Sequence, residues 1–164
     1  MQTIDTSALR FDRTNADTYE AADLNRVGAM CATIAVAAEA EIAALAAMRT
    51  QYGTADSGYT LPDFAVPTVT AKTDFAVTDT YTIEQLQQYL QNVQNIVAHF
   101  PPAEYQALPT DMRFLLAALA NAIEWDLKQC AENLKSRADQ TETNIKNTAA
   151  TFAYSGEIFA GGIL

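Results

Sequence analysis

The chain has 164 residues, 49% of them hydrophobic, and sets 20 acidic side chains against 10 basic ones for a net charge of −10. That length builds one domain with its own core, and the composition is that of a folded chain rather than a disordered one. The acidic balance opposes any surface that must neutralise phosphate, so neither nucleic acid nor an anionic membrane is expected as a partner.

The opening MQTIDTSALRFDRT lacks the basic and apolar regions of a signal peptide, and no apolar run reaches the ~18 residues of a membrane span. Cys31 and Cys130 are the only cysteines. Without export signals they read as reduced thiols in a protein made in the cytoplasm. Residues 18–49 read as one long helix. Leu24, Val27, Cys31, Ile34, Ala38, Ile42 and Leu45 recur every three or four residues, the stripe with which a helix faces a core. The alanines between them favour helix and let a neighbouring helix come close. Thr18 or Asn15 is placed to cap the start, and Gly53 marks the end in a turn-rich stretch.

Residues 53–81 read as an extended connector, rich in threonine and interrupted by Pro62 and Pro67, with room for a short edge strand. It is long for a link inside a compact domain. Phe64, Val66, Val69, Phe75 and Val77 point to packing along the body of the fold. A second helix starts at Thr82, which forms a capping box with Gln85, and stops at Pro101 and Pro102. Its stripe is Ile83, Leu86, Leu90, Val93 and Val97, flanked by Tyr89 and Ile96. A third helix begins near Thr110 and turns Met112, Leu115, Leu116, Leu119, Ile123, Leu127, Cys130 and Leu134 inward. Glu124, Lys128, Glu132 and Lys135 fall on its outer face, Glu124 and Lys128 in the favoured i, i+4 order.

Beyond Lys135 the run SRADQTETNIKNTAAT either prolongs this helix or forms a tether before the apolar end FAYSGEIFAGGIL. The expected fold is therefore mainly α: a small bundle of three long helices with an extended connector and an extended C-terminal tail. Residues 1–135 form the bundle domain, and 136–164 the polar tether and apolar tail.

Little in the chain points to a reaction. His99 is the only histidine and sits at a helix C-terminus, where a cation complements the dipole. One His and two distant Cys give no metal-ligand pair. Both cysteines fall on apolar stripes, where a thiol is a small hydrophobe rather than a nucleophile. No nucleophile elbow, glycine-rich phosphate loop or zinc-binding helix motif occurs. Glu39 and Glu41 do not share a helical face, and Trp125 flanks the third helix's inner stripe. Tyr19, Asp23 and Arg26 do share a face, and Asp23 with Arg26 reads as a structural pair. Arg26 can instead take an acid from another element.

The order of short motifs adds a second line of reasoning. The chain reads Y-x-x-x-D-L-N-R-V from Tyr19 to Val27, TDF from Thr73 to Phe75, then Tyr89-Leu90 with Asn92-Val93, and closes with YSGEIFAGG from Tyr154 to Gly162. In that order it resembles small tail-region structural proteins of phages and prophages of gut Firmicutes. It departs from their pattern at Phe75, where they carry tryptophan, and at Tyr81-Thr82-Ile83, where they carry I-P-T. The resemblance implies a non-enzymatic role in the tail, baseplate or fibre region, with no catalytic residue, cofactor or metal. It implies other virion proteins, or further copies of the chain in a homo-oligomer, as partners. Phe152, Tyr154, Ile158, Phe159, Ile163 and Leu164 are the candidate partner-binding residues. The tail either adds a strand to a partner's sheet or folds back on its own bundle. The protein is then expected in the virion after synthesis in the bacterial host. The alternative is a soluble cytoplasmic helical adaptor or regulator that binds one protein.

Overall fold

The computed structural model describes residues 1–53 and 65–160, with the backbone alone at 114, 152 and 154–160. The protein is mainly α. Helices α1 (Ala21–Gln51), α2 (Ile83–His99) and α3 (Ala117–Ala160) pack in all three pairings, and no strand occurs among the described residues. Leu24, Val27, Cys31, Ile34, Ala38 and Leu45 of α1 share one core with Val93, Ile96, Ile123, Leu127, Cys130 and Leu134.

All three helices run in the same direction. Arg26 of α1 meets Glu124 of α3, while fifteen residues further on the Met1 amino group lies between Glu41 of α1 and Asp139 of α3. Tyr89 of α2 bonds Tyr19 just ahead of α1, and ten residues later the His99 carbonyl accepts from Arg137 of α3 at 3.0 Å. Parallel helices cannot be joined by tight turns, because each link must travel back the length of a helix. That requirement is why the connector is long.

Over their described residues the returns are extended straps. The first runs against α2 and α1, with Thr68 beside Asn95, Thr70 beside Asn92 and Phe75 beside Asn25. The second, after His99, descends α3 from Arg137 to Asp126, whose Oδ1 accepts the Gln106 N–H at 3.0 Å. The N-terminal arm descends α3 as well, placing Met1 by Asp139, Arg10 by Glu124 and Arg13 by Asn121. Where the first strap crosses α1, a Cβ on Gly28 would lie 2.5 Å from the Lys72 carbonyl oxygen. Only glycine admits that approach.

Several elements differ from their sequence-based expectation. The cap of α1 is Glu20, whose N–H donates to Asp23 Oδ2 at 2.8 Å, rather than Thr18 or Asn15. In α2 the buried face is Tyr89, Leu90, Asn92, Val93 and Ile96, and Ile83 is exposed. The face is turned toward Asn92 because that side chain must reach the first strap. Residues 112–114 form a separate 3₁₀ turn closed by the Asp111 carboxylate, and Leu116 is exposed rather than inward. Glu124, expected outside with Lys128, is fully buried, and Lys128 pairs with Glu132 at 2.6 Å instead.

At the far end no tether interrupts α3. Ala138, Thr141 and Ile145 continue the buried stripe from Leu134, and the Thr141 and Thr148 hydroxyls bond carbonyls one turn back. The backbone expected as an extended tail is helical through Ala160, and residues 161–164 lie outside the described residues. With Arg26 level with Glu124, the last turns of α3, from about residue 150, pass beyond the end of α1.

One window of α1, at a mean hydropathy of 1.7, is long and apolar enough to cross a membrane, and 28% of it is buried. The sequence reading expected no such span. Alanine supplies much of that hydropathy, and Leu24, Val27, Ile34 and Leu45 from the same helix are core residues here.

Candidate functional site

The densest polar constellation lies where the N-terminal arm, α1 and α3 meet. Glu124 Oε1 accepts from Arg13 Nη2 at 2.5 Å and from Arg26 Nη2 at 2.7 Å. Its Oε2 accepts from Arg26 Nε at 3.0 Å and from the Arg10 backbone N–H at 2.6 Å. Asp23 Oδ1 accepts from both guanidiniums, at 2.8 Å from Arg13. Two cations thus face two carboxylates, so the buried charge is balanced. Burial alone would lower the Arg13 pKa, but Asp23 and Glu124 outweigh it and hold the value raised. Burial works likewise against Asp23, and the Glu20 N–H with the two arginines still hold its carboxyl below the usual range. For Arg26 the Glu124 hydrogen bond leads and the pKa is raised. Arg26 therefore joins both Asp23 and an acid from another helix.

Three asparagines, one per helix, hold the extended segments. Asn25 takes the Phe75 N–H on Oδ1 at 2.8 Å and gives Nδ2 to the Phe75 carbonyl at 2.9 Å. Asn92 holds Thr70 in the same way at 2.9 Å for both bonds, and Asn121 holds Arg13 at 3.1 and 3.0 Å. A carboxamide offers one donor and one acceptor at peptide-like spacing, so each asparagine does for one residue what a neighbouring strand would do. At Phe75, Thr70 and Arg13 the extended backbone is satisfied this way without a sheet.

The remaining reactive groups are committed or shielded. The Tyr19 and Tyr89 hydroxyls bond each other, and burial raises the pKa of both. Cys31 and Cys130 are fully buried, and burial pushes both thiols up to about 12. His99 Nδ1 lies 2.8 Å from the Asn95 carbonyl, within its own helix. Trp125 packs edge-on to Phe11 with ring centroids 5.7 Å apart, and its buried Nε1 has no hydrogen-bond partner among the described residues. Among the described residues no group of three or more His, Cys, Asp or Glu is placed to hold a metal ion.

Asp23 and Arg26 thus belong to one network. Of the expected partner-binding residues, Phe152, Tyr154, Ile158 and Phe159 have their backbone in the last turns of α3, and Ile163 and Leu164 lie outside the described residues. Sequence reasoning missed Arg13 and Asn121, set Glu124 on the outer face, and gave Asn25 and Asn92 only as motif positions. The spacing within α1 reveals Asp23 and Arg26, but Arg13 and Glu124 are 111 residues apart, and no local pattern links them. No family model, no curated protein and no solved structure matches the chain.

Proposed function

We propose that the protein is a structural or assembly component of a phage virion, in the tail, baseplate or fibre region, that acts through protein–protein contacts and catalyses no reaction. The observation that carries this reading is the use made of the motif from Tyr19 to Val27. Tyr19 bonds α2, Asp23 and Arg26 bond the arm and α3, and Asn25 bonds the first strap. Tyr19, Asp23, Asn25 and Arg26 of that motif are joints between segments, as suits an architectural part. The last turns of α3, carrying Phe152, Tyr154, Ile158 and Phe159, are the element offered to a neighbouring virion protein or to another copy.

Mass spectrometry of purified particles, from a host carrying the full chain or a deletion of 151–164, tests the reading. The full chain is expected in the particle in a fixed ratio to the tail proteins. Loss of the truncated chain from the particle, with its bundle still folded, supports docking through the end of α3. A full chain that stays monomeric and never enters particles refutes the assembly role and leaves the cytoplasmic adaptor.

A further inference from the structure

A cavity of about 130 Å³ lies between α1, α2 and the first strap, lined by Val27, Gly28 and Cys31 of α1, Tyr89 of α2, and Ala71 and Phe75 of the strap. Its existence follows from how the strap is held. Asn92 fixes the strap at Thr70 and Asn25 fixes it at Phe75, while the Lys72 carbonyl rests on Gly28. The backbone is therefore kept at a set height above α1. The side chains beneath and along that span are small (Gly28, Cys31 and Ala71), and they leave the gap unfilled.

Several of the polar groups around the gap are already engaged. Asn92 bonds Thr70 twice and also takes Gln88 Nε2 at 3.0 Å. Gln85 accepts the Thr82 N–H at 3.0 Å, and the Tyr89 hydroxyl bonds Tyr19. Lys72 Nζ is paired with Asp74 at 2.5 Å and lies 4.9 Å from the centre of the Phe75 ring. None of the buried polar side-chain atoms without a partner among the described residues belongs to this lining. A water molecule needs two to four polar partners, and the walls at Val27, Gly28, Cys31, Ala71 and Phe75 offer no side-chain partner. An apolar cavity of roughly 150 Å³ accepts benzene or xenon, and this one is close to that size, with Thr70, Ala71 and Gln88 exposed at its rim. A charged guest would find Lys72 already neutralised, and a hydroxyl would be buried unpaired.

We propose that this cavity is a binding site for a small neutral apolar molecule the size of benzene or a short branched hydrocarbon. The site is preformed, because its walls are fixed by hydrogen bonds that a guest need not break. It stands apart from the assembly role and holds whether or not the chain enters a particle.

The test is calorimetric melting of the intact protein with benzene, with phenol, and after Cys31→Leu, which fills the gap. Benzene at about ten times its dissociation constant is expected to raise Tm by about 3 °C. Phenol at equal concentration gives a smaller shift, and Cys31→Leu abolishes the benzene effect. Because that variant alters the core, xenon-pressure crystallography of the unaltered protein provides a second readout, with xenon expected beside Cys31 Sγ. The proposal is overturned if neither benzene nor xenon binds, if benzene shifts Cys31→Leu equally, or if phenol matches benzene.

Discussion

Replacing Gly28 by alanine sets two effects of opposite sign against each other. In a helix interior alanine is favoured over glycine by about 1 kcal/mol. The new Cβ, however, would lie 2.5 Å from the Lys72 carbonyl oxygen, where carbon and oxygen need about 3.3 Å. The obstacle is backbone, so no side-chain rotation relieves it. The strap must lift by close to 1 Å, and the Asn25 bonds to Phe75, at 2.8 and 2.9 Å, lie three residues away. Overpacking of this kind costs about 1–3 kcal/mol, and each weakened hydrogen bond about 0.5–1.5 kcal/mol. Sterics therefore win, with a net loss of about 1–3 kcal/mol, or a fall in Tm of about 3–10 °C for a domain of this size. Urea denaturation followed by circular dichroism reads the stability, and hydrogen exchange at the Phe75 amide reads the strap. In an Asn25→Ala background the cost of Gly28→Ala is expected to shrink, because part of what it breaks is already gone. A Gly28→Ala protein of equal or greater stability, with Phe75 still protected, would falsify the close approach and the bracketing argument with it.

Other outcomes follow from the network and the buried acids. Glu124→Gln leaves two guanidiniums facing one carboxylate and is expected to cost about 3 kcal/mol, with faster tryptic cleavage after Arg10 and Arg13; unchanged cleavage would show that the arm is held elsewhere. Asp126 is fully buried, its Oδ2 has no partner, and burial raises its pKa. A raised carboxyl favours the folded state fully only below the unfolded value of about 3.9, and that favour is lost as pH rises through the folded value. Asp126→Asn should therefore add about 1 kcal/mol at pH 7, a gain that vanishes below about pH 4 in a denaturation series; a loss at pH 7 would contradict the reasoning. Asp23, held low, has the opposite sign, so its contribution is present above its unfolded value and disappears as pH falls through the folded one. Cys31 and Cys130, buried and pushed up to about 12, should react with a thiol reagent at pH 8 only as fast as the chain opens; rapid labelling of the folded protein would contradict their burial.

The helices were legible because their signals are local. The α1 stripe from Leu24 to Leu45 and the capping box of Thr82 with Gln85 depend on neighbours a turn away, and both appear as read. The extension of α3 was only half legible. Thr141 faces the core without being apolar and Ala138 is small among polar neighbours, so the stripe fades in the sequence while it persists in the fold. Glu124 misled for a related reason: its i, i+4 spacing with Lys128 fits a solvated face, and only the arrival of Arg13 and Arg26 makes burial tolerable. Asn25, Asn92 and Asn121 look like ordinary polar helix residues, since their partners are backbone atoms 50, 22 and 108 residues away. What sequence spacing shows is the face of a helix, and what it hides is which extended segment will cross that face.

The parallel arrangement of the helices also sets the order in which the protein can be made. An up-and-down bundle gains helix hairpins as soon as two neighbours leave the ribosome, whereas here no tight helix hairpin occurs among the described residues to nucleate the fold. The first strap and α2 reach α1 from 50 to 70 residues on, but the arm and the Arg26 side chain must wait for Glu124 about a hundred residues away, and closing so large a loop slows folding. Until Glu124 emerges, Arg13, Asp23 and Arg26 have no third element to close on. The nascent chain can therefore set α1 against the strap and α2 first, and the face of α1 that receives α3 stays open until the third helix is complete.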